Sequence, residues 1–430
     1  MRSSRGVSIA IFCIALLVRL AYVPLAPQID PLLKKEGELR HDAASYDAIG
    51  WNLATGQGYT HPDPYADINI YPPLYPFMLA GIYKLFGHSL LAVRLVQAIL
   101  GALTCLLLSL IGIRLASTAV GWLAGLGLAF HPLYLGFTAW IYTETLYIFL
   151  FIGALFLWVE LGRNPTWKGT LALGLAWGVA ALARPVFVAA PVLFLIWGLA
   201  IFRPKLKVIG LTLLLVTCIY AGQTPWLIYR SVNREQVTLT SREVGSPLFV
   251  ALWRLNNPYA DGGESTDLAL LVSDLDAWEE LSPSQQNQEA LKSMLGWILT
   301  HPHEYLLNCG KRLVKFFSPF EFGATPSRRG AKFPLPMFIQ VPILVAYGIY
   351  LAIALIGLIA SLNRWGEFLP LYLTFGYFLA FHVLIYSAFT RYSMPVMTIV
   401  VVWAACGTIW LFDRLTRLRG RVQSAVRHID

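Results

Sequence analysis

The chain has 430 residues, 57% of them hydrophobic and only 13% charged. That composition excludes a soluble globular protein of this length, and the length excludes a single-span receptor, which leaves a polytopic membrane protein. Lys and Arg number 33 against 24 Asp and Glu, a net charge of +9, which reads as anchoring charge on the cytoplasmic side of a membrane and not as a nucleic-acid surface.

The first apolar run, from Val7 to about Pro27 behind Arg2 and Arg5, reads as a retained span and not a cleaved signal, because no small-residue cleavage site ends it. Arg19 near its far end either snorkels to the interface or faces a protein interior. A first outer loop follows, residues 28–89. It opens with RHDAASYDAIGWNLATGQGY, where Asp42 and Tyr46 share a helical face while Asp47 is turned away. Asp42 is either a helix cap or a functional carboxylate. Within the same loop, YPPLYPFMLAGIYKLFG is too short to span and reads as a helix at the interface.

Further apolar runs occupy roughly Leu90 to Ile113, Ala119 to Phe137, Leu146 to Leu161, Thr170 to Ala183, Val186 to Phe202, Val208 to Ile228, Phe338 to Ala360, Phe368 to Ser387 and Pro395 to Phe412. With the first, they predict about ten spanning helices and an all-α protein. Its parts are an N-terminal membrane module (1–228), an outer-face segment (229–337), C-terminal membrane helices (338–412) and a basic tail (413–430). Basic residues of the short connections (Arg114, Arg163 with Lys168, Arg203 with Lys205 and Lys207, Arg364, then the tail) fall on the side of Arg2 and Arg5, so both termini are expected in the cytoplasm. In the outer segment, Ser282, Pro283 and Gln285 read as the start of an amphipathic helix carrying Ala290, Met294, Trp297 and Ile298, which either docks on the membrane domain or lies at its surface. NNPYADGG before it reads as a loop. Cys13, Cys105, Cys218, Cys309 and Cys406 form no CxxC and no disulfide framework.

No GxxxxGK, HExxH, GxSxG or dinucleotide fingerprint occurs, which disfavours nucleotide chemistry. What remains is charge at the outer face. Glu144 in WIYTETLYIFLF sits in apolar surroundings that make a carboxylate costly unless it is paired or used; Thr143, Thr145 or the free N–H groups of a helix start are its bland partners. Arg184 in LARPVFV, Arg230 in TPWLIYR and Arg391 in FTRYSMP supply fixed positive charge with a fork suited to phosphate, or else snorkel to lipid headgroups. His301 and His303 in THPHEY resemble a metal pair but read as a turn.

These pieces, in this order, resemble the GT-C type of lipid-dependent membrane glycosyltransferases, in particular the dolichyl-phosphate-mannose protein mannosyltransferases and the aminoarabinose transferases of lipid A. The matching stretches are DAASYDAIGWNLATGQGY, YPPLYPFMLAGIYKLFG, YTETLYIF, ALARPVFV, TPWLIYR, NNPYADGG, THPHEYLLNCGKRLVKFFSP and TRYSMPVM. The resemblance implies a GT-C fold and inverting transfer of one sugar from a polyprenyl-phosphate carrier to an acceptor hydroxyl at the outer face of the plasma membrane. It implies Asp42 as general base, Glu144 at a metal or the acceptor, and Arg184, Arg230, Arg391 and Tyr392 at the donor phosphate. Tyr46 and Tyr142 would line the acceptor or sugar pocket, and a divalent metal would be held by Asp42 and Glu144. The implied partners are the lipid-linked sugar, an acceptor lipid, glycan or protein, and the bilayer, with no nucleic acid. A departure is His41 before Asp42 and Ala43 after it, where the mannosyltransferases often carry an adjacent acidic pair, and this counts against a protein acceptor and against metal dependence. A secondary transporter and a polysaccharide polymerase or ligase are the competing readings; the charges gather at one face instead of mid-bilayer, which speaks against the transporter.

Overall fold

The computed structural model describes residues 2–29, 33, 39, 42–62, 71–162, 164–234, 281, 283–319, 337–385 and 390–426, and among these residues there is no strand. Two compact units result: Met1–Arg242 with Tyr350–Leu373 and Met397–Asp430, and Glu243–Ile349 with Thr374–Val396.

The first unit opens with α1 (Arg2–Ile29), α2 (Asp42–Ala54), α3 (Leu74–Phe86) and α4 (Leu90–Leu115). There follow α5 (Thr118–Ala129), α6 (Pro132–Ala139), α7 (Glu144–Leu161), α8 (Trp167–Ala183), α9 (Ala190–Ile201) and α10 (Lys205–Arg234). Hydroxyl side chains start several of them. Ser89, Ser117 and Thr166 each accept the backbone N–H three residues on, satisfying a donor the helix leaves free. Helix α4 packs against α1, α5 and α7, and α8 packs against α7 and α10. Trp158 of α7, Trp177 of α8 and Trp197 of α9 are fully buried, with Trp158 edge-on to Trp177 at 5.3 Å. Arg19 faces the protein interior: it is buried, its Nη1 donates to Ala15 O at 3.2 Å, and a methyl group on Gly101 of α4 would strike its guanidinium.

Six helical stretches are long and apolar enough to cross a membrane: Gly6–Gln28, Leu90–Leu115, Glu144–Leu161, Lys205–Val232, Val341–Ile385 and Arg391–Arg419. The α5–α6 pair makes a seventh, bent by 50°. The bend follows from Pro132, which holds His131 in extended backbone (φ −69°, ψ 121°) and has no N–H to continue the ladder. Helix length by itself therefore does not establish ten spans. α8 has 17 residues, and the run expected from Val186 to Phe202 divides into a 3₁₀ segment, Pro185–Ala189, and the 12-residue α9.

The second unit holds α11 (Pro283–Thr300) and α12 (Pro302–Phe316). It also holds the first part of α13 (Met337–Ser361), the end of α14 (Trp365–Ala380), the π-turn Phe381–Ile385 and the first residues of α15 (Thr390–Val426). Later parts of α13 and α15 belong to the first unit, where a methyl group on Gly357 would overlap Trp403 O and one on Gly407 would overlap Ile353 O. Only glycine lets the two backbones approach this closely. The NNPYADGG loop, Ser282, and the bulk of the 229–337 segment lie outside the described residues.

Candidate active site

The carboxylate expected to be costly at the outer end of the fourth run is the first residue of α7. Glu144 is 1% exposed. Its partner is Arg184, the extended residue that ends α8, whose Nη2 donates to Glu144 Oε1 and whose Nε donates to Thr143 Oγ1 at 3.3 Å. The guanidinium carbon also stands 5.6 Å from the centroid of the Tyr147 ring. Thr145 is not a partner of Glu144, since its hydroxyl donates to Phe137 O at 2.8 Å. Glu144 Oε2 is buried with no hydrogen bond from any described residue. A buried pair of this kind holds its geometry through desolvation, because either charge left alone in this apolar setting is costly.

The turn that presents Glu144 is braced by Gln97 of α4, which is fully buried. Its Nε2 donates to Thr138 O (3.0 Å) and Trp140 O (2.9 Å), and its Oε1 accepts the Tyr75 hydroxyl at 2.8 Å. Arg94 Nε adds a bond to Ala139 O at 3.0 Å. Tyr75 belongs to α3, so a single amide links the α6–α7 turn to the segment between α1 and α4. Burial raises the Tyr75 hydroxyl well above the ordinary phenol range, and the charges of Tyr83 and Glu144 push it the same way.

Asp42 is the first residue of α2 and partly exposed, at the helix end whose dipole favours a carboxylate. One turn on, Tyr46 is buried and meets Tyr71 and Tyr75 edge to face at 5.1 and 5.2 Å. Tyr142 packs against the same apolar cluster, which includes Ala43 and Tyr46. Asp47 is spoken for elsewhere: it accepts the Tyr83 hydroxyl at 2.5 Å and pairs with His88 Nε2 at 2.9 Å, while the His88 ring stacks on Trp51 at 4.8 Å. It ties α2 to α3 and the corner before α4. His41 lies outside the described residues.

Arg230, near the end of α10, is 1% exposed. The end of α10 meets the first loop through Trp226, which packs with Ile49 and Tyr59. Burial lifts the Tyr59 hydroxyl well above the phenol range, Tyr46 and Tyr229 add to the rise, and the charge of Arg230 opposes it. Asp42, Tyr46, Tyr142, Glu144, Arg184 and Arg230 are thus carried by elements that pack together in the first unit.

Arg391 and Tyr392 belong to the second unit. Arg391 Nη2 donates to the Tyr392 hydroxyl at 3.1 Å and the guanidinium lies 5.0 Å from the ring centroid. Tyr392 stacks in turn on His382, whose Nδ1 donates to Phe378 O at 2.8 Å. Arg312 of α12 is fully buried, and its Nη1 donates to Val383 O and Leu384 O at 3.3 Å each. Sequence reasoning missed Gln97 and Arg312. An isolated Gln in RLVQAIL and an Arg in an amphipathic stretch carry no local signal; their roles come from carbonyls that are distant in sequence.

Among the described residues no group of three or more His, Cys, Asp or Glu could hold a metal ion. Asp42 and Glu144 begin different helices, and Arg184 already engages one oxygen of Glu144. The described donors do not fit a divalent cation. His301 stacks on Trp297 at 5.3 Å and caps the start of α12 at the turn after α11, with His303 exposed in the first turn of α12.

The arrangement is a helical membrane fold in which the helix headed by Asp42 packs in the same unit as a Glu144–Arg184 pair, and its class is the GT-C fold that the motifs indicated. Residues 71–232, α3 through most of α10, match the family model described as dolichyl-phosphate-mannose-protein mannosyltransferase. Among solved structures, the chain is similar to the archaeal oligosaccharyltransferase AglB from Archaeoglobus fulgidus in complex with an inhibitory peptide and a dolichol-phosphate. The TM-score is 0.55 at 14% identity, over 97% of this chain and 52% of that one. A structure of the Archaeoglobus fulgidus oligosaccharyltransferase tethered with an acceptor peptide gives 0.56 at 13% identity, over 96% and 50%. ArnT from Cupriavidus metallidurans bound to undecaprenyl phosphate gives 0.44 at 16% identity, over 94% and 78%. The chain spans about half the length of the oligosaccharyltransferases it matches. No protein of curated function matches it by sequence.

Proposed function

We propose that this chain is a glycosyltransferase that moves one sugar from a polyprenyl-phosphate carrier to an acceptor hydroxyl, with inversion, at the outer face of the membrane. The observation that carries the proposal is the buried Glu144–Arg184 pair, braced through Gln97 and Tyr75 against the loop that bears Asp42. The family match over the segment that contains Glu144, Arg184 and Arg230 supports the same reading, as does the fold.

In this reading Asp42 accepts the proton of the acceptor hydroxyl as its oxygen attacks the anomeric carbon from the face opposite the phosphate. The bond from that carbon to the phosphate oxygen breaks, and the polyprenyl phosphate leaves with its electron pair. Arg230 stabilises the departing charge through its fixed positive charge, and Arg391 with Tyr392 are assigned to the donor phosphate on the resemblance of TRYSMPVM alone. Arg184 holds Glu144 oriented and adds positive charge to the same region, and Tyr46 and Tyr142 form apolar walls for sugar or acceptor. The acceptor is a lipid, a glycan or a protein. The carrier is activated beforehand, so the transfer needs no nucleotide, in line with the missing nucleotide motifs.

The test is transfer of a radiolabelled sugar from a polyprenyl-phosphate sugar to membrane acceptors by purified protein in detergent. Transfer of a monosaccharide is the expected result. Transfer of a long glycan would instead indicate a ligase, and flux of substrate without transfer would indicate a transporter.

A further inference from the structure

Helix α12 is turned the wrong way round for a helix in water. Its polar residues Asn308 and Arg312 are buried, whereas Leu306, Leu307, Leu313 and Val314 are exposed, at 66%, 61%, 41% and 70%. At 100° per residue these four fall within about one third of the helix circumference, so they form one apolar stripe. Helix α11 continues the pattern with Leu291, Leu295 and Leu299, exposed at four-residue spacing along one face.

The inward face is held at the end of a membrane span. Tyr305 donates its hydroxyl to Leu384 O at 3.0 Å, Arg312 Nη1 donates to Val383 O and Leu384 O, and Phe316 lies 5.5 Å from the His382 ring. Those acceptors belong to the π-turn that closes the apolar stretch Val341–Ile385. Leu384 and Ile385 are themselves exposed there, at 43% and 39%, as the lipid-facing surface of a span is. Exposed apolar residues thus occur both on the outward face of α12 and at the end of the long apolar stretch that its inward face binds. Lys311, exposed on the flank of the stripe, has the length to reach headgroups while its stem stays apolar.

We infer that α11 and α12 lie on the bilayer surface with these leucines and Val314 sunk among the acyl chains, so that the partner of this face is phospholipid. A large contiguous apolar face exposed to water marks an interaction surface, and an amphipathic helix fixed at the level where a span ends meets the headgroup–acyl boundary first. The inference stands apart from the proposed reaction.

The test uses the full-length protein reconstituted in phosphatidylcholine–phosphatidylglycerol vesicles, with a fluorescent amino acid incorporated in place of Leu307, Val314 or, as the flank control, Glu304. Nitroxide groups on lipid acyl chains should quench the labels at 307 and 314 several-fold more than the label at 304, and aqueous iodide should show the reverse order. Iodide quenching at 307 and 314 equal to that at 304 would overturn the inference. So would shielding from both quenchers, which would assign the face to a protein partner or a second copy of this chain. Sites 307 and 314 are read independently, so one misfolded variant leaves the test standing.

Discussion

Asp42 and Asp47 are five residues apart and have different surroundings. Asp47 is bound to Tyr83 and His88, a structural clasp, while Asp42 heads α2 beside the cluster of Tyr46 and Tyr142. As the proposed base, Asp42 would contribute a factor of about 10² to 10⁴, so Asp42→Asn should lose nearly all turnover while donor binding and the thermal midpoint stay unchanged. Retention of more than a tenth of wild-type turnover in a transfer assay would remove it from that role. The Glu144–Arg184 pair calls for a different experiment. Removing one partner of a buried pair costs about 3 to 5 kcal/mol, so Arg184→Met should sharply lower the unfolding midpoint. Glu144→Leu combined with Arg184→Met should restore much of that stability and no activity, and restored turnover in the double variant would leave the pair a purely structural device. Arg391→Ala should weaken donor-lipid binding by about 1.5 to 3 kcal/mol, the worth of a hydrogen bond to a charged group, with Lys recovering only part because it lacks the planar fork. Equal donor affinity in wild type and Arg391→Ala would make this residue an interface anchor.

Among the elements, the turn from α6 to α7 depends on a residue it does not contain. Gln97 supplies two donors to its carbonyls and an acceptor to Tyr75, and no water replaces them in a fully buried setting. Gln97→Leu strands these groups at about 1 to 3 kcal/mol each. It should lower the thermal midpoint and also the turnover, because Glu144 begins the helix this turn launches. A variant with a lowered midpoint and wild-type turnover would show that Gln97 supports the fold alone. Local sequence placed α7 and one apolar run over α5 and most of α6, but neither the break between those two nor the brace, since a buried amide takes its meaning from which carbonyls come to face it. The expected span from Val186 to Phe202 shows the same limit: hydropathy reports an apolar run but not where Pro185 and Pro191 divide it.

For the molecule as a whole, the proposed topology sets both termini in the cytoplasm and the 229–337 segment outside, on the bias of basic residues in the short connections. A membrane-impermeant thiol reagent on intact cells should modify a cysteine introduced at Ser284 and spare one at Gln423; the opposite pattern would invert the assignment. Class and fold were legible in the sequence because hydrophobic runs of bilayer length and the order of short polar motifs are local properties that survive without any contact being known. Glu144 was legible as a charge that an apolar neighbourhood makes expensive, Arg184 and Arg230 as isolated charges in apolar stretches, and Asp42 as a candidate through the family resemblance. What each charge pairs with was not. That Arg184 meets Glu144, that Asp47 is held by His88, and that Arg312 binds the carbonyls of a distant π-turn were decided by tertiary structure. A charge in a poor solvent must find a partner, but the chain says only that one is needed; packing brings residues tens of positions apart to within a hydrogen bond and so selects which one.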